Sequence, residues 1–208
     1  MSITKCAAVL GVVLAMGGCG SFKVTPRETP ASQGQPMVED TDLGKVYLAA
    51  NFNFRGYETL VVGDIKPGTA VPLKDVDPET MGIYFRSALV KRLAAIGVFD
   101  RVTDDKSVLA GGQGKLLLLE GSFSELDPGN RALRLLSSGY GAGRTKVQVE
   151  MEVKDPKDKR VLFSASDRRV GPAGYAGGDT EGLILDSLDK MADGYAAFIR
   201  RVAGDGKK

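Results

Sequence analysis

Arg144-Thr145-Lys146-Val147-Gln148-Val149-Glu150-Met151-Glu152-Val153-Lys154 is the stretch on which the fold turns. Val147, Val149, Met151 and Val153 alternate with Lys146, Gln148, Glu150 and Glu152. A period of two puts the apolar set on one side of a β-strand and the polar set on the other. The expectation is a strand with one buried and one wet face. Asp155-Pro156-Lys157-Asp158-Lys159 makes a short polar connection, after which residues 161–170 return as the antiparallel partner.

Upstream of this hairpin, Leu116-Leu117-Leu118-Leu119 is a short continuous apolar run, which suits a strand buried on both faces. Asp127-Pro128-Gly129-Asn130 reads as a turn. Further back, residues 59–65 are rich in β-branched side chains and closed by Pro67-Gly68, a second strand. Residues 46–50 suit either a strand or one turn of helix, and the folded part is expected to begin near Lys45. Between the strands, Asp77 is a good N-cap and Pro78 fits the first helical position. Met81, Phe85, Ala88, Leu89, Leu93 and Ile96 then recur on one helical face until Gly97 stops it. Downstream, Asp179 caps a last helix whose stripe is Ile184, Leu188, Met191, Tyr195, Phe198 and Val202, ended by Gly204. The order predicts an α/β fold of the α+β sandwich kind: a mixed, largely antiparallel sheet with two helices packed on it. A single domain is expected over residues 45–204, with a polar tail over 205–208.

The amino-terminal residues read differently. Lys5 precedes an apolar run over residues 7–16, too short for a membrane span of about 20 residues but right for an export signal. Leu14-Ala15-Met16-Gly17-Gly18-Cys19 resembles a bacterial lipobox. That resemblance implies a signal peptide over residues 1–18, acylation of Cys19 and attachment to a membrane. Gly20 stands where an aspartate favours inner-membrane retention, so the implied location in a Gram-negative cell is the periplasmic face of the outer membrane. Residues 19–44 hold Pro26, Pro30 and Pro36 among Thr, Ser, Gln and Gly, which predicts a flexible tether. As a coil, its twenty-odd residues would span roughly 25 Å.

Composition removes several chemistries. The chain has no histidine, so serine and cysteine triads and His-containing zinc sites are excluded. Of two cysteines, Cys6 leaves with the signal and Cys19 is taken by lipid, so no disulfide forms within the mature chain. With 28 basic and 26 acidic residues and no long run of one sign, nucleic acid is not an expected partner. No cofactor, metal or catalytic residue is assigned, and an enzyme is not expected.

Gly139-Tyr140-Gly141-Ala142-Gly143 has the glycine density of a phosphate loop, but it precedes a strand instead of linking a strand to a helix. A turn is the expected reading. Arg131, Arg134 and Arg144 flank it and, with Arg168 and Arg169, admit two readings. One is a basic patch for an anionic partner; the other is a solvated face balanced by Glu150, Glu152 and Asp167. Tyr140 and Tyr175 each sit among glycines, where rigid amphipathic rings suit a protein contact. Tyr140, Tyr175, Arg131, Arg134 and Arg144 are therefore the candidate contact residues.

Residues 134–143 followed by the alternating strand and Asp155 resemble a family of bacterial lipoproteins known as domain of unknown function 4410. That family shows an arginine, a Gly-x-Gly-x-Gly turn, an alternating strand and an aspartate at a hairpin. Residues 93–102, a helix end, a glycine and a short strand, match it too, and the resemblance spans roughly residues 57–170. At fold level the chain is also similar to periplasmic α/β domains of lipoproteins that activate cell-wall synthases, of the Tol-system translocation protein and of the curli secretion lipoprotein. These resemblances imply a lipid-anchored, non-catalytic factor that binds an envelope protein partner or supports an assembly. Two alternatives stay open: a subunit of a homo-oligomeric envelope or secretion assembly, and a histidine-free cell-wall hydrolase.

Overall fold

A computed structural model of the chain describes residues 21–28, 36–68, 76–111, 114–130, 133, 143–172 and 179–204. Their strands are β1 (Phe22–Val24), β2 (Val38–Glu39), β3 (Lys45–Leu48), β4 (Thr59–Pro67), β5 (Arg101–Thr103), β6 (Leu116–Asp127), β7 (Lys146–Lys154) and β8 (Val161–Val170). Two long helices, α1 (Pro78–Ala95) and α3 (Thr180–Ala203), lie on either side of the short α2 (Ser107–Ala110) in the chain.

The strands form one sheet in the order β2-β3-β8-β7-β6-β4-β5, with β1 also on β8. The β7–β8 hairpin is antiparallel as expected, pairing Lys146 with Val170 and Lys154 with Val161. β6 joins β7 antiparallel, whereas β4 runs parallel to both β5 and β6. The parallel pair β4–β5 is bridged by α1, the connection that parallel neighbours require. The result is a mixed, mostly antiparallel eight-stranded sheet with its helices packed on it. Residues 46–48 resolve as strand, not helical turn.

Both long helices begin as the sequence predicts. Asp77 accepts from the backbone N–H of Glu79 (3.1 Å) and of Thr80 (3.2 Å), with Pro78 at the first position. Asp179 accepts from Gly182 N at 3.2 Å. The helices lie side by side: Tyr84 Oη donates to Asp189 Oδ2 (2.8 Å), Arg92 pairs with Asp189 (3.0 Å), and the rings of Phe85 and Tyr195 meet edge-on. α1 can press onto β4 because Gly82 has no side chain; a Cβ there would lie 2.4 Å from Ile65 O. The core they cover includes Leu60, Val62, Leu117, Leu119, Phe123, Val147, Val149, Met151, Val153 and Phe163.

Two expectations need correction, and one cause explains both. The segment predicted as a tether over residues 19–44 is, where described, part of the fold. β1 pairs with β8, matching Phe22 to Val170 and Val24 to Arg168, and β2 pairs with β3. β1 and β3 lie end to end along one edge of β8, so the sheet begins at residue 22 and not near Lys45. Lys23 Nζ fixes this arrangement by donating to the carbonyls of Asp40, Thr41 and Leu43. Just past β1, Arg27 N donates to Gln148 Oε1 (2.9 Å), and Gln148 Nε2 donates back to Arg27 O (2.8 Å). The polar face of β7, expected wet, is covered there. Gln148 is 1% and Glu150 6% exposed. Glu150 Oε1 accepts from Gln148 Nε2, Ser166 Oγ and Ser124 Oγ at 2.8–3.1 Å, the local partners that buried polar groups require.

Candidate functional site

At the hairpin end of the sheet the chain leaves an open cleft of about 580 Å³. Three separate segments supply its lining: residues 49–57 after β3, residues 114–116 opening β6, and the β7–β8 connection with Leu162. The first wall is held by backbone geometry. Ala49 N donates to Leu162 O (2.9 Å), Phe52 N to Ala49 O (3.1 Å), and Asn51 takes a left-handed φ of 61° that reverses the chain. Asn53 then caps a single 3₁₀ turn, Phe54–Gly56. Arg55 clamps that turn to the end of α3, donating from Nε to Ala203 O (2.9 Å) and from Nη2 to Gly204 O (2.8 Å).

Aromatic rings give this wall its substance. Phe54 is fully buried against Phe99 and Phe163, and Phe52 packs edge-on to it at 4.7 Å. Phe52 and Tyr57, 5.8 Å apart, are half-buried and line the opening. Burial, reinforced by the negative charges of Asp155 and Asp158 and opposed by Arg160, holds the Tyr57 hydroxyl above its ordinary value. Tyr57 is thus a neutral donor at physiological pH. Lys115, Lys157 and Arg160 face the opening against a single carboxylate, Asp155. Among the described residues, the Arg160 guanidinium ion-pairs only with the exposed Asp158, at 3.7 Å, and neither lysine has an ion pair. A cation-rich, aromatic-walled cleft suits recognition of an anionic group carried on a flat or apolar frame.

The residues singled out in the sequence lie elsewhere. Cys19, Arg131, Arg134, Tyr140 and Tyr175 fall outside the described residues. Arg144 is described, at the opposite end of the sheet, where its guanidinium lies 5.2 Å over the Phe22 ring and its Nε has no hydrogen-bond partner among the described residues. Arg168 and Arg169 do not combine into one patch. They point to opposite faces of β8, Arg168 to Glu125 (2.7 Å) and Arg169 to the fully buried Asp167 (2.9 Å). Burial raises the Asp167 carboxyl above its usual range although Arg169 pulls it down, and one of its oxygens has no partner among the described residues.

A second, smaller groove crosses the open side of the sheet, lined by Asp64, Glu120, Glu150 and Glu152 with Lys66 and Lys154. Lys106 and Arg86 both reach Asp64, and Lys154 holds Glu152 at 2.8 Å, so most of its charge is compensated. Among the described residues no group of three carboxylate or thiol side chains is placed to hold a metal ion, and no helix is long and apolar enough to cross a membrane.

The hairpin-end cleft escapes sequence reading because its walls are about 60 and 100 residues apart in the chain. One signal was available. The segment Asn51-Phe52-Asn53-Phe54-Arg55-Gly56-Tyr57 packs three aromatics into seven residues, in a chain with only 8 Phe, 6 Tyr and no Trp.

The chain belongs to the family described as domain of unknown function DUF4410, whose profile matches residues 74–197. No curated protein matches it. Among solved structures it is similar to the PelC dodecamer from Paraburkholderia phytofirmans, with 19% identity, 72% of this chain and 93% of that chain covered, and a TM-score of 0.46. A Xanthomonas campestris protein of family DUF330 matches at 10% identity over 74% and 90% of the two chains, TM-score 0.46. A putative neuraminyllactose-binding hemagglutinin homolog from Helicobacter pylori matches at 11% identity over 79% and 91%, TM-score 0.39.

Proposed function

We propose that this protein is a lipid-anchored envelope factor that works by binding, without catalysis, and that the hairpin-end cleft receives an acidic segment of a protein partner. The observation that carries the reading is the pairing of two half-buried rings, Phe52 and Tyr57, with Lys115 and Lys157, whose charges have no ion pair among the described residues. Rigid aromatic walls limit the ordering cost of association, and unpaired cations gain partners on binding instead of exchanging them. The lipobox ending at Cys19 supports placement at the periplasmic face of the outer membrane.

In-cell photo-crosslinking tests the reading. A photoreactive side chain at position 115 is expected to yield a discrete adduct with an envelope protein. The same group at exposed position 91 on α1 is not, and Lys157→Glu weakens the adduct at 115. A Cys19→Ala variant, released from the membrane, loses it. Identical adducts at 115 and 91, or only abundant bystanders at both, overturn the proposal. An adduct at twice the chain mass favours the homo-oligomeric alternative.

A further inference from the structure

Residue 21 is two positions beyond the cysteine of the lipobox and is already part of the folded domain. Ser21 N donates to Asp186 Oδ2 (3.0 Å) on α3, and Lys190 Nζ bridges from Asp186 (3.0 Å) to Ser21 O (3.4 Å). The next three residues pair with β8. Two residues span at most about 7 Å. We infer that the domain is seated directly on the lipid surface, with the β1 end of the sheet down and the hairpin-end cleft facing away from the bilayer; this rests on the anchor reading proposed above.

The direction follows from strand register. Phe22 pairs with Val170 at the end of β8. Leu162, in the cleft, is eight residues earlier on the same strand. At 3.3–3.4 Å per residue the two are about 27 Å apart along β8. Asp127 pairs with Lys146, which pairs with Val170, so the β6–β7 turn lies at the β1 end as well.

The chemistry of that end fits a lipid surface independently. Among the described residues, four large hydrophobic side chains are exposed: Phe22, Val38, Ile83 and Leu133. Two of them, Phe22 and Leu133, lie at the β1 end. Phe22 is in β1 itself, beneath Arg144. Leu133 follows the β6–β7 turn, its N–H donated to Asn130 Oδ1 (3.1 Å) while Asn130 N donates to Gly143 O (3.0 Å). Exposed apolar side chains with cations among them are what an anionic bilayer interface takes.

The test uses the full-length acylated protein in phosphatidylethanolamine–phosphatidylglycerol vesicles carrying an energy-transfer acceptor on the headgroups. Donor dyes go on single introduced cysteines, Asn130→Cys in the β6–β7 turn at the β1 end and Asp158→Cys in the β7–β8 hairpin, both exposed positions. Several-fold stronger transfer is expected from position 130 than from position 158. Inserting twenty Gly/Ser residues between Gly20 and Ser21 is expected to bring the two values together. Equal transfer from both sites in acylated protein overturns the seating alone. A seating difference that survives the insertion overturns its dependence on the short attachment. An unacylated Cys19 in the mass spectrum removes the anchor reading, and this inference with it.

Discussion

β7 buries side chains on both of its faces, but by different means. On the helix side Val147, Val149, Met151 and Val153 are at most 1% exposed, packed among Leu, Phe and Met side chains. On the other side Gln148 and Glu150 are nearly as inaccessible, yet they are held by hydrogen bonds to Arg27, Ser124 and Ser166. The first face tolerates partners of any identity that fill volume. The second depends on particular donors and acceptors, because a buried polar atom that loses its partner keeps its full desolvation cost. Alternation along a strand therefore tells which residues share a side, not which side is wet.

The largest effect is expected on the packed face. Phe163 is fully buried between Phe54 (5.9 Å) and Phe198 (5.0 Å), and Phe163→Ala should cost about 3–5 kcal/mol in denaturant unfolding. On the hydrogen-bonded face, Gln148→Ala strands Arg27 N–H and C=O and should cost about 1–3 kcal/mol. It should also raise hydrogen exchange in β1 more than in β6. Equal exchange in both strands would mean that Arg27 does not seal this face. In contrast, Tyr195→Phe should stabilise by about 1 kcal/mol, because the Tyr195 hydroxyl is buried with no hydrogen-bond partner among the described residues.

Acid should separate the attachments further. For Asp186, burial raises the carboxyl, but Ser21 N–H and Lys190 prevail and hold it below the usual 3.8. Asp40 behaves alike: burial is outweighed by Arg201 and by the N–H groups of Leu43 and Asp42. Groups with depressed folded values contribute stability above about pH 4 and lose it as pH falls through those values. Asp167, raised by burial, has the opposite sign: its contribution declines as pH rises from 3.8 through its folded value. Fluorescence from a dye near β1 should therefore report loosening below pH 4, and Asp186→Asn should flatten that response. The smallest effect belongs to the cleft: Lys157→Ala should change stability by less than about 0.5 kcal/mol while reducing partner capture.

Much of the fold was legible. Asp77-Pro78 and the stripe from Met81 to Ile96 define α1 because capping and a 3.6-residue period are local properties. The Asp155–Lys159 turn with its alternating flanks defines the hairpin for the same reason. β1 was illegible because three residues, Phe22–Val24, before a proline-rich run carry no period; their strand character comes from the edge of β8, 146 residues away. The cleft was illegible because neither Lys115 nor Lys157 is unusual until β6 and the hairpin are brought opposite Phe52 and Tyr57.

By itself, the sequence determined the family, the helix boundaries and which residues of β7 stand together, since caps, turns and periodicity act between near neighbours. Tertiary structure alone decided that residues 22–24 are a strand, that the polar side of β7 is covered at Gln148 and Glu150, and that rings and lysines meet at one end of the sheet. Those outcomes depend on contacts between residues far apart in the chain, whose free energy exists only once the sheet has formed.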